Sequence, residues 1–548
     1  MDAIINKAAK HEDRSAWPKP REGEVIAYVD GSFSEAVGRY AYGCILFAME
    51  EQDEARYELS GFGTDPDVIK IRNIAGEMLA SMQSVLWAIK GGYQSIEIRY
   101  DYAGIEMWAE RKWKAKNEFT EKYASAMNRW RERIAIHFQK VEAHSGDHWN
   151  DAADKLAKAA LMYEDEPAAA GSAEKTAVVA GHICIDITPV FPAGTPKCRN
   201  LGQLLKPGKL LQMSGADVHT GGAVANTGIA MKRLGADVRL IGKAGKDAFG
   251  GMIRDILDEY GAGEDLIFME NETTSYSVVL AAPGIDRTFL HCPGANDTFD
   301  GTEISGDMLR GAALFHFGYP TIMRRMYCDG GKAMAAMFRR VKEQGIATSL
   351  DLSMADPDSE AGRADWAGIL AKTLPYVDFF VPSFEELCFM LDRPRYESLL
   401  ARAEGGDITE ILDLSEDIMP LAEKCLDLGA EAVLLKCGAP GLYLRASDRM
   451  DGTGERLGLD ADAWNGFATF ETSYRVDRVL SGTGAGDACI AAFLASLLKG
   501  CGPKESIEHA AAAGALSCTA YDAVSGLLPL EEIRRRIDEG WGKRTTGA

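Results

Sequence analysis

The chain has 548 residues and carries 82 acidic side chains against 60 Lys and Arg, a formal net charge of −22. That balance excludes broad nonspecific attraction to nucleic acid, so any nucleic-acid site must be local. With 46% hydrophobic and 26% charged residues the composition is that of a globular protein, and its length calls for more than one core.

Residues 1–22 read as a tail: the start mixes charges with helix formers and lacks the apolar core of a secretory signal. Apolar runs at 25–29, 42–47 and 96–100 predict strands, and the patterns at 75–90 and 150–162 predict helices, giving a mixed α/β domain over residues 23–164. Residues 165–175, rich in small residues and breakers, predict an exposed linker. Beyond it, 177–185, 237–241, 347–351, 379–381 and 432–435 predict short apolar strands. Helical patterns separate most of them, so a parallel sheet covered on both faces is expected within residues 176–540, followed by a tail over 541–548. No run of about 18 uninterrupted apolar residues occurs, and a cytoplasmic protein without a membrane partner is expected. The 11 cysteines lie in apolar runs such as Gly43-Cys44-Ile45-Leu46, form no C-x-x-C pair, and read as reduced core residues.

In the first domain Asp30 ends a predicted strand, Glu77 lies inside a predicted helix, Asp101 ends another strand and Asp154 lies on the last helix. Carboxylates gathered at one point repel and need divalent cations, and hard oxygen donors suit Mg²⁺ or Mn²⁺. Two such ions about 4 Å apart can activate water and stabilise the leaving oxygen of a phosphodiester. Taken singly, each acid reads as a surface or capping residue. Their flanks decide otherwise: Tyr28-Val29-Asp30-Gly31-Ser32, Arg72-Asn73-Ile74-Ala75-Gly76-Glu77, Tyr100-Asp101-Tyr102-Ala103-Gly104-Ile105, and Ala143-His144-Ser145-Gly146 followed by Asn150 and Asp154.

Together, over about residues 24–163, these motifs resemble type 1 ribonuclease H. The resemblance implies a mixed sheet with helices and two-metal cleavage of RNA paired to DNA. It makes Asp30, Glu77, Asp101 and Asp154 the metal-binding set, with His144 as a mobile histidine assisting product or proton transfer. Asp151 competes for the fourth place, but the family spacing after Asn150 selects Asp154. Asp101-Tyr102 with Gly104-Ile105 and Trp108 is typical of the viroplasmin-like subgroup, whose separate hybrid-binding module is not seen ahead of the first predicted strand. Arg111-Lys112-Trp113-Lys114-Ala115-Lys116 is the local patch expected to grip the hybrid, through the cations Lys112, Lys114 and Lys116 and the ring of Trp113; its bland reading is a solvated helix end.

In the second domain, Ser481-Gly482-Thr483-Gly484-Ala485-Gly486-Asp487 opens a helical stretch. Glycines let the backbone turn N–H groups one way, and a helix N-terminus favours an anion. Asp487, in the first turn, is placed to reach a substrate hydroxyl. An earlier marker is Gly221-Gly222-Ala223-Val224-Ala225-Asn226, followed by Gly242-Lys243-Ala244-Gly245-Lys246-Asp247. No G-x-x-x-x-G-K-[ST] occurs, and the glycine run lies late in the domain rather than after its first strand, which excludes a P-loop and disfavours a Rossmann dinucleotide site.

Both markers, in this order across about residues 176–534, resemble the ribokinase-like, or PfkB, carbohydrate kinases. The resemblance implies an α/β/α domain with a small β lid, in which Asp487 is the base and Gly482, Thr483, Gly484, Ala485 and Gly486 form the anion hole. Lys436, Gly438 and Gly441 line ATP, and Asp186, following the strand 177–185, binds substrate hydroxyls with Gly221, Gly222 and Asn226. Segments 209–213, 275–280 and 288–291 read as lid strands, and such lids build dimers in relatives. The family's Asn-x-x-Glu stands here as Ser383-Phe384-Glu385-Glu386, leaving Glu386 as an outer metal candidate, and Ser481-Gly482 replaces the usual Asp-Thr. Mg²⁺ or Mn²⁺ in both domains, ATP as donor and a monovalent cation in the kinase are implied cofactors. A bifunctional enzyme is expected, cleaving RNA–DNA hybrids and phosphorylating a sugar. The competing readings are a nucleoside acceptor, a hybrid-binding module with little cleavage, and a metabolite sensor.

Overall fold

The computed structural model describes residues 4–7, 17–35, 37–50, 53–63, 66–115, 117–131, 133–141, 148–161, 175–285, 287–520, 522 and 524–544. The expected linker, apart from Lys175, and the sites His144 and Lys116 lie outside the described residues. The chain splits into two units, Met1–Gly171 and Ser172–Ala548.

The first unit is built on a sheet ordered Ile4–Lys7, Asp53–Gly63, Arg39–Glu50, Glu24–Ser34, Ser95–Tyr100, Ala135–Lys140. Glu24–Ser34 runs antiparallel to Arg39–Glu50 and parallel to Ser95–Tyr100. Side chains alternate across a strand, and the two cores follow that period. Val25, Ala27 and Val29 pack with Met78, Val85 and Ala88 of helix Asn73–Lys90, whereas Ile26 and Tyr28 pack with Trp149 and Ala153 of helix His148–Leu161. The stretch ahead of Glu24 contains a strand that the composition hides: Ile4–Lys7 pairs antiparallel with Asp53–Gly63.

The second unit holds an eight-stranded sheet ordered Val238–Ile241, Thr176–Gly181, Ala312–Gly318, Ala347–Leu350, Phe379–Phe380, Ala432–Lys436, Gly441–Ala446, Ala468–Thr472. The first six are parallel, as expected, but the last two are antiparallel additions. Val179 and Leu434 face one core with helices Ala485–Leu498 and Pro503–Ser517; Val178 and Val433 face the other with helix Arg324–Lys342. Burial on both faces explains why these strands read as continuous apolar runs.

The expected strand 177–185 is two strands in different sheets. At Gly181, φ 131°, the chain leaves the main sheet, and an added Cβ would lie 2.3 Å from Gly318 O. It re-enters as Cys184–Val190 in a four-stranded lid ordered Thr288–Cys292, Tyr276–Leu280, Cys184–Val190, Gly215–Gly221. Asp186 therefore lies within a lid strand rather than after a sheet strand, opposite His219 on one side and Ser277 on the other. Residues 209–213 are not a strand; Gly215–Gly221 fills that place. The expected tail is docked as far as Arg544: Trp541 donates its indole N–H to Arg475 O at 2.7 Å, and its ring packs on Tyr474.

Candidate active sites

In the first unit, Asp30, Glu77 and Asp101 each offer a carboxylate oxygen, all within 4.8 Å of one another. Two glycines permit this. A Cβ on Gly31 would sit 2.2 Å from Asn73 O and 2.4 Å from Glu77 N, and one on Gly76 would sit 2.1 Å from Ala41 O. The helix carrying Glu77 thus lies directly on the strand carrying Asp30. Burial, then Asp101 and Asp154, push the Asp30 carboxyl up to about 7, against a backbone hydrogen bond from Gly31. Burial, with Asp101 and Asp30 adding to it, pushes Glu77 up to about 9. Glu77 Oε2 is buried with no hydrogen-bond partner. An orphaned carboxylate oxygen inside a group of acids is what a divalent cation satisfies, so these residues fit Mg²⁺ or Mn²⁺.

Asp154 is not within that trio, although its charge acts on Asp30; Lys158, one turn along the same helix, pairs with it at 2.7 Å. In the expected nucleic-acid patch Lys112 is engaged by Glu106 and Glu110, Lys114 is exposed, and Trp113 is 45% exposed with its edge against Trp108.

In the second unit, Asp487 stands in the first turn of helix Ala485–Leu498, after Gly484 in the left-handed conformation at φ 74°. It is buried and accepts hydrogen bonds from Asn226 Nδ2 at 3.2 Å, Thr227 Oγ1 at 3.1 Å and the Tyr319 hydroxyl at 2.8 and 2.9 Å. Burial raises its pKa, while Tyr319, Lys436, Asn226 and Thr227 oppose the rise. Lys436 is largely buried, its side chain 11% exposed, and donates to Asp351 at 2.7 Å. Burial lowers its pKa, but Asp351, Glu386 and Asp487 more than offset this and hold it above the ordinary value. Glu386 itself closes a capping box with Ser383, accepting from the Ser383 N–H at 2.8 Å.

A cavity of about 1110 Å³ is lined by Asp186, His219, Asn226, Arg287 and the loop Ser481, Gly482 and Thr483. Gly221 lets Asp186 lie against the backbone, since a Cβ there would sit 2.2 Å from Asp186 Oδ2; a Cβ on Gly222 would sit 2.4 Å from His182 O. Arg287, at the lid's edge, donates to Thr483 Oγ1. Within the glycine loop the Ala485 N–H already donates to Gly482 O at 3.3 Å, and the Thr483 N–H to Ser481 Oγ at 3.1 Å. Lys436 packs its stem beneath Gly486. Gly438 and Gly441 lie against Thr409 and Glu471, so close contacts account for their glycines.

Thr227, Tyr319, Asp351 and Arg287 escaped the sequence reading. Two of them carried a signal: Tyr319 and Asp351 directly follow the parallel strands Ala312–Gly318 and Ala347–Leu350, and ligands of open parallel sheets gather beyond strand carboxyl ends.

A buried carboxylate at a helix N-terminus, over a glycine turn and beneath a β lid, is the arrangement of an α/β phosphotransferase, and the carboxylate trio on a mixed sheet is that of a hydrolase. The family model for pfkB family carbohydrate kinases matches residues 178–529, and that for RNase H matches residues 22–162. The chain belongs to the pfkB carbohydrate kinase family and carries an RNase H domain ahead of the kinase domain, a fusion of a hydrolase and a kinase. It is similar to an "Uncharacterized sugar kinase" of Archaeoglobus fulgidus, 26% identical over 274 residues, 50% of this chain and 87% of that protein. It is also similar to Fructokinase-2 of Oryza sativa, 31% identical over 230 residues, 41% of this chain and 63% of that protein. The structure of Arabidopsis thaliana ribokinase complexed with ribose and ATP shares the fold, at 20% identity and TM-score 0.50, over 66% of this chain and 98% of that one. Among the described residues no helix is long and apolar enough to cross a membrane.

Proposed function

We propose that the C-terminal domain transfers the γ-phosphoryl group of ATP to a hydroxyl of a sugar, with Asp487 as the base. The observation that carries this reading is the placing of Asp487, directly behind Asn226 on the cavity wall and held by three donors. Asp186 in the lid and Asn226 orient the acceptor, Asp487 takes the proton from its attacking oxygen, and the first turn of helix Ala485–Leu498 faces the phosphoryl charge. The protonated Lys436 beside Asp351 adds positive charge behind that turn. A bound Mg²⁺ would neutralise phosphate oxygens, and Glu386 and Asp351, whose charges act on one another, are the acids that would hold it. The relatives named as a sugar kinase and a fructokinase support a sugar as acceptor. ADP release from Mg²⁺-ATP across sugars, sugar acids and nucleosides, beside Asp487→Asn, is the test; silence from folded, ATP-binding protein would favour a metabolite sensor.

We propose further that the N-terminal domain cleaves RNA in RNA–DNA hybrids, with Asp30, Glu77 and Asp101 holding divalent cations and Asp154 closing the set at its rim. The orphaned Glu77 Oε2 supports it. When bound, such cations would activate a water and stabilise the negative charge that develops on the leaving oxygen. Because Lys112 is paired with Glu106 and Glu110, exposed Trp113 and Lys114 carry the grip on the hybrid in this reading. A labelled hybrid cut by the full chain but not by Asp30→Asn would bear the proposal out, and binding without cutting would leave a hybrid-binding module. Both substrates belong to the cell interior, which supports a cytoplasmic location. The lid exposes Val190, Val218, Phe289 and Leu290, which supports pairing with a second copy; light scattering of the full chain tests it.

A further inference from the structure

Far from Asp487 along the same helix, three residues of different chemistry converge. Cys501, Glu505 and His509 each offer a ligand atom, all within 4.8 Å of one another; Cys501 lies in the turn after helix Ala485–Leu498, and the others lie on helix Pro503–Ser517. His509 is buried, with Nδ1 2.9 Å from Ser496 Oγ. The Ser496 hydroxyl gives its proton to Ala492 O at 2.7 Å. A hydroxyl that has given away its one proton can only accept, so the imidazole proton sits on Nδ1 and Nε2 keeps a bare lone pair. That lone pair lies 4.0 Å from Glu505 Oε1, a buried oxygen that makes no hydrogen bond of its own, while the Cys501 thiol is hydrogen-bonded to the Glu505 side chain. Two acceptors at that distance repel unless a cation or a proton lies between them, and a metal ion binding here would displace the thiol proton. Arg534 Nε, 3.4 Å from the same oxygen, balances the carboxylate's charge, but it makes no hydrogen bond there.

We propose that Cys501, Glu505 and His509 form a zinc site. A thiolate, an imidazole and a carboxylate together favour a borderline-soft cation over Mg²⁺, and three protein ligands leave the fourth position to water. Bonds of about 2.3 Å to sulfur and 2.0–2.1 Å to nitrogen and oxygen put tetrahedral ligand atoms roughly 3.3–3.7 Å apart, a contraction that rotamer adjustment of Cys501 and Glu505 can supply. Ser496 fixes the histidine as an outer partner does in zinc proteins. The ion ties the turn after Leu498 to helix Pro503–Ser517 and so braces the helix that carries Asp487 at its other end. The site lies wholly within the second unit and does not depend on either proposed activity.

Cobalt titration of the metal-stripped full chain tests it. A thiolate-to-cobalt charge-transfer band that Zn²⁺ abolishes is expected, with the amplitude of one cobalt–thiolate centre per chain. Cys501→Ser, a near-isosteric change at a partly exposed residue, is expected to remove the band, and His509→Gln to weaken binding by about tenfold or more. Asp30→Asn is expected to leave the band intact. Wild-type protein should also melt higher with micromolar Zn²⁺, a reading that needs no variant. Absence of both band and melting shift, or a band that survives Cys501→Ser, would overturn the site; the latter would point to another of the cysteines.

Discussion

At Asp487 burial and hydrogen bonding pull in opposite directions, and burial wins. A carboxylate so poised is a stronger base than an exposed one, provided the pH is high enough to ionise it. Asp487→Asn should therefore lower kcat by about 10²–10⁴-fold with ATP binding retained. Tyr319 donates to both oxygens, at 2.9 and 2.8 Å, and stabilises the ionised form. Tyr319→Phe removes that donor and raises the carboxyl's pKa further. The acid limb of the kcat/KM profile should move to higher pH, with partial recovery of rate on its alkaline side. A uniform loss at every pH would instead mean that the hydroxyl touches substrate. Asp487 was legible because a glycine run ahead of a helix has one main use, whereas Tyr319 sits more than 160 residues away, and its one signal, a place just after strand Ala312–Gly318, depended on a strand that was not among those expected. Its φ of 64° is a strained value for a non-glycine residue, and such strain clusters at functional sites.

Helix and strand approach each other across Gly31 and Gly76 more closely than side chains allow, and the trio of acids depends on that approach. Gly31→Ala would place a methyl group 2.2 Å from Asn73 O, a backbone atom that cannot swing aside. Overpacking of this kind costs about 1–3 kcal/mol. The variant should melt lower and bind Mg²⁺ more weakly by calorimetry, because Glu77 withdraws with its helix. Ser32→Ala, at the next, buried position of the same strand, is the control expected to keep Mg²⁺ affinity. The limits of reading elements from a sequence lie in the same kind of contact. The buried parallel strands were legible from their apolar runs, but the pattern continues from Ala177 through Ile185 although the chain changes sheets at Gly181. What demands a glycine there is Gly318, a neighbour brought close only by the fold. Strand Ile4–Lys7 is four residues long and owes its place to pairing with Asp53–Gly63, which a local pattern cannot report.

Across the whole molecule, two chemistries draw on two separate acidic centres, and pH and metal should act on them differently. In the first unit the Asp30 and Glu77 carboxyls rise to about 7 and about 9. Without metal the native domain holds protons that the unfolded chain, with carboxyl pKa values near 4, has already released. Stability therefore falls with rising pH: the contribution is fully present below about pH 4 and lost as pH climbs through 7 toward 9. A divalent cation takes the place of those protons, so its affinity should increase over the same window. The rise in melting temperature with Mg²⁺ should then be small near about pH 6 and large near about pH 9, as mass action requires when affinity tightens. Glu77→Gln removes the most strongly shifted carboxyl, so the metal-free variant should lose less stability on going to alkaline pH and gain little from Mg²⁺. Differential scanning calorimetry of the full chain reads this in the first unit's transition, and hybrid cleavage followed against Mg²⁺ concentration at each pH gives an independent reading. An Mg²⁺ effect that did not grow with pH would mean that the trio is already ionised, its charge balanced by protein groups, and that burial does not govern these acids.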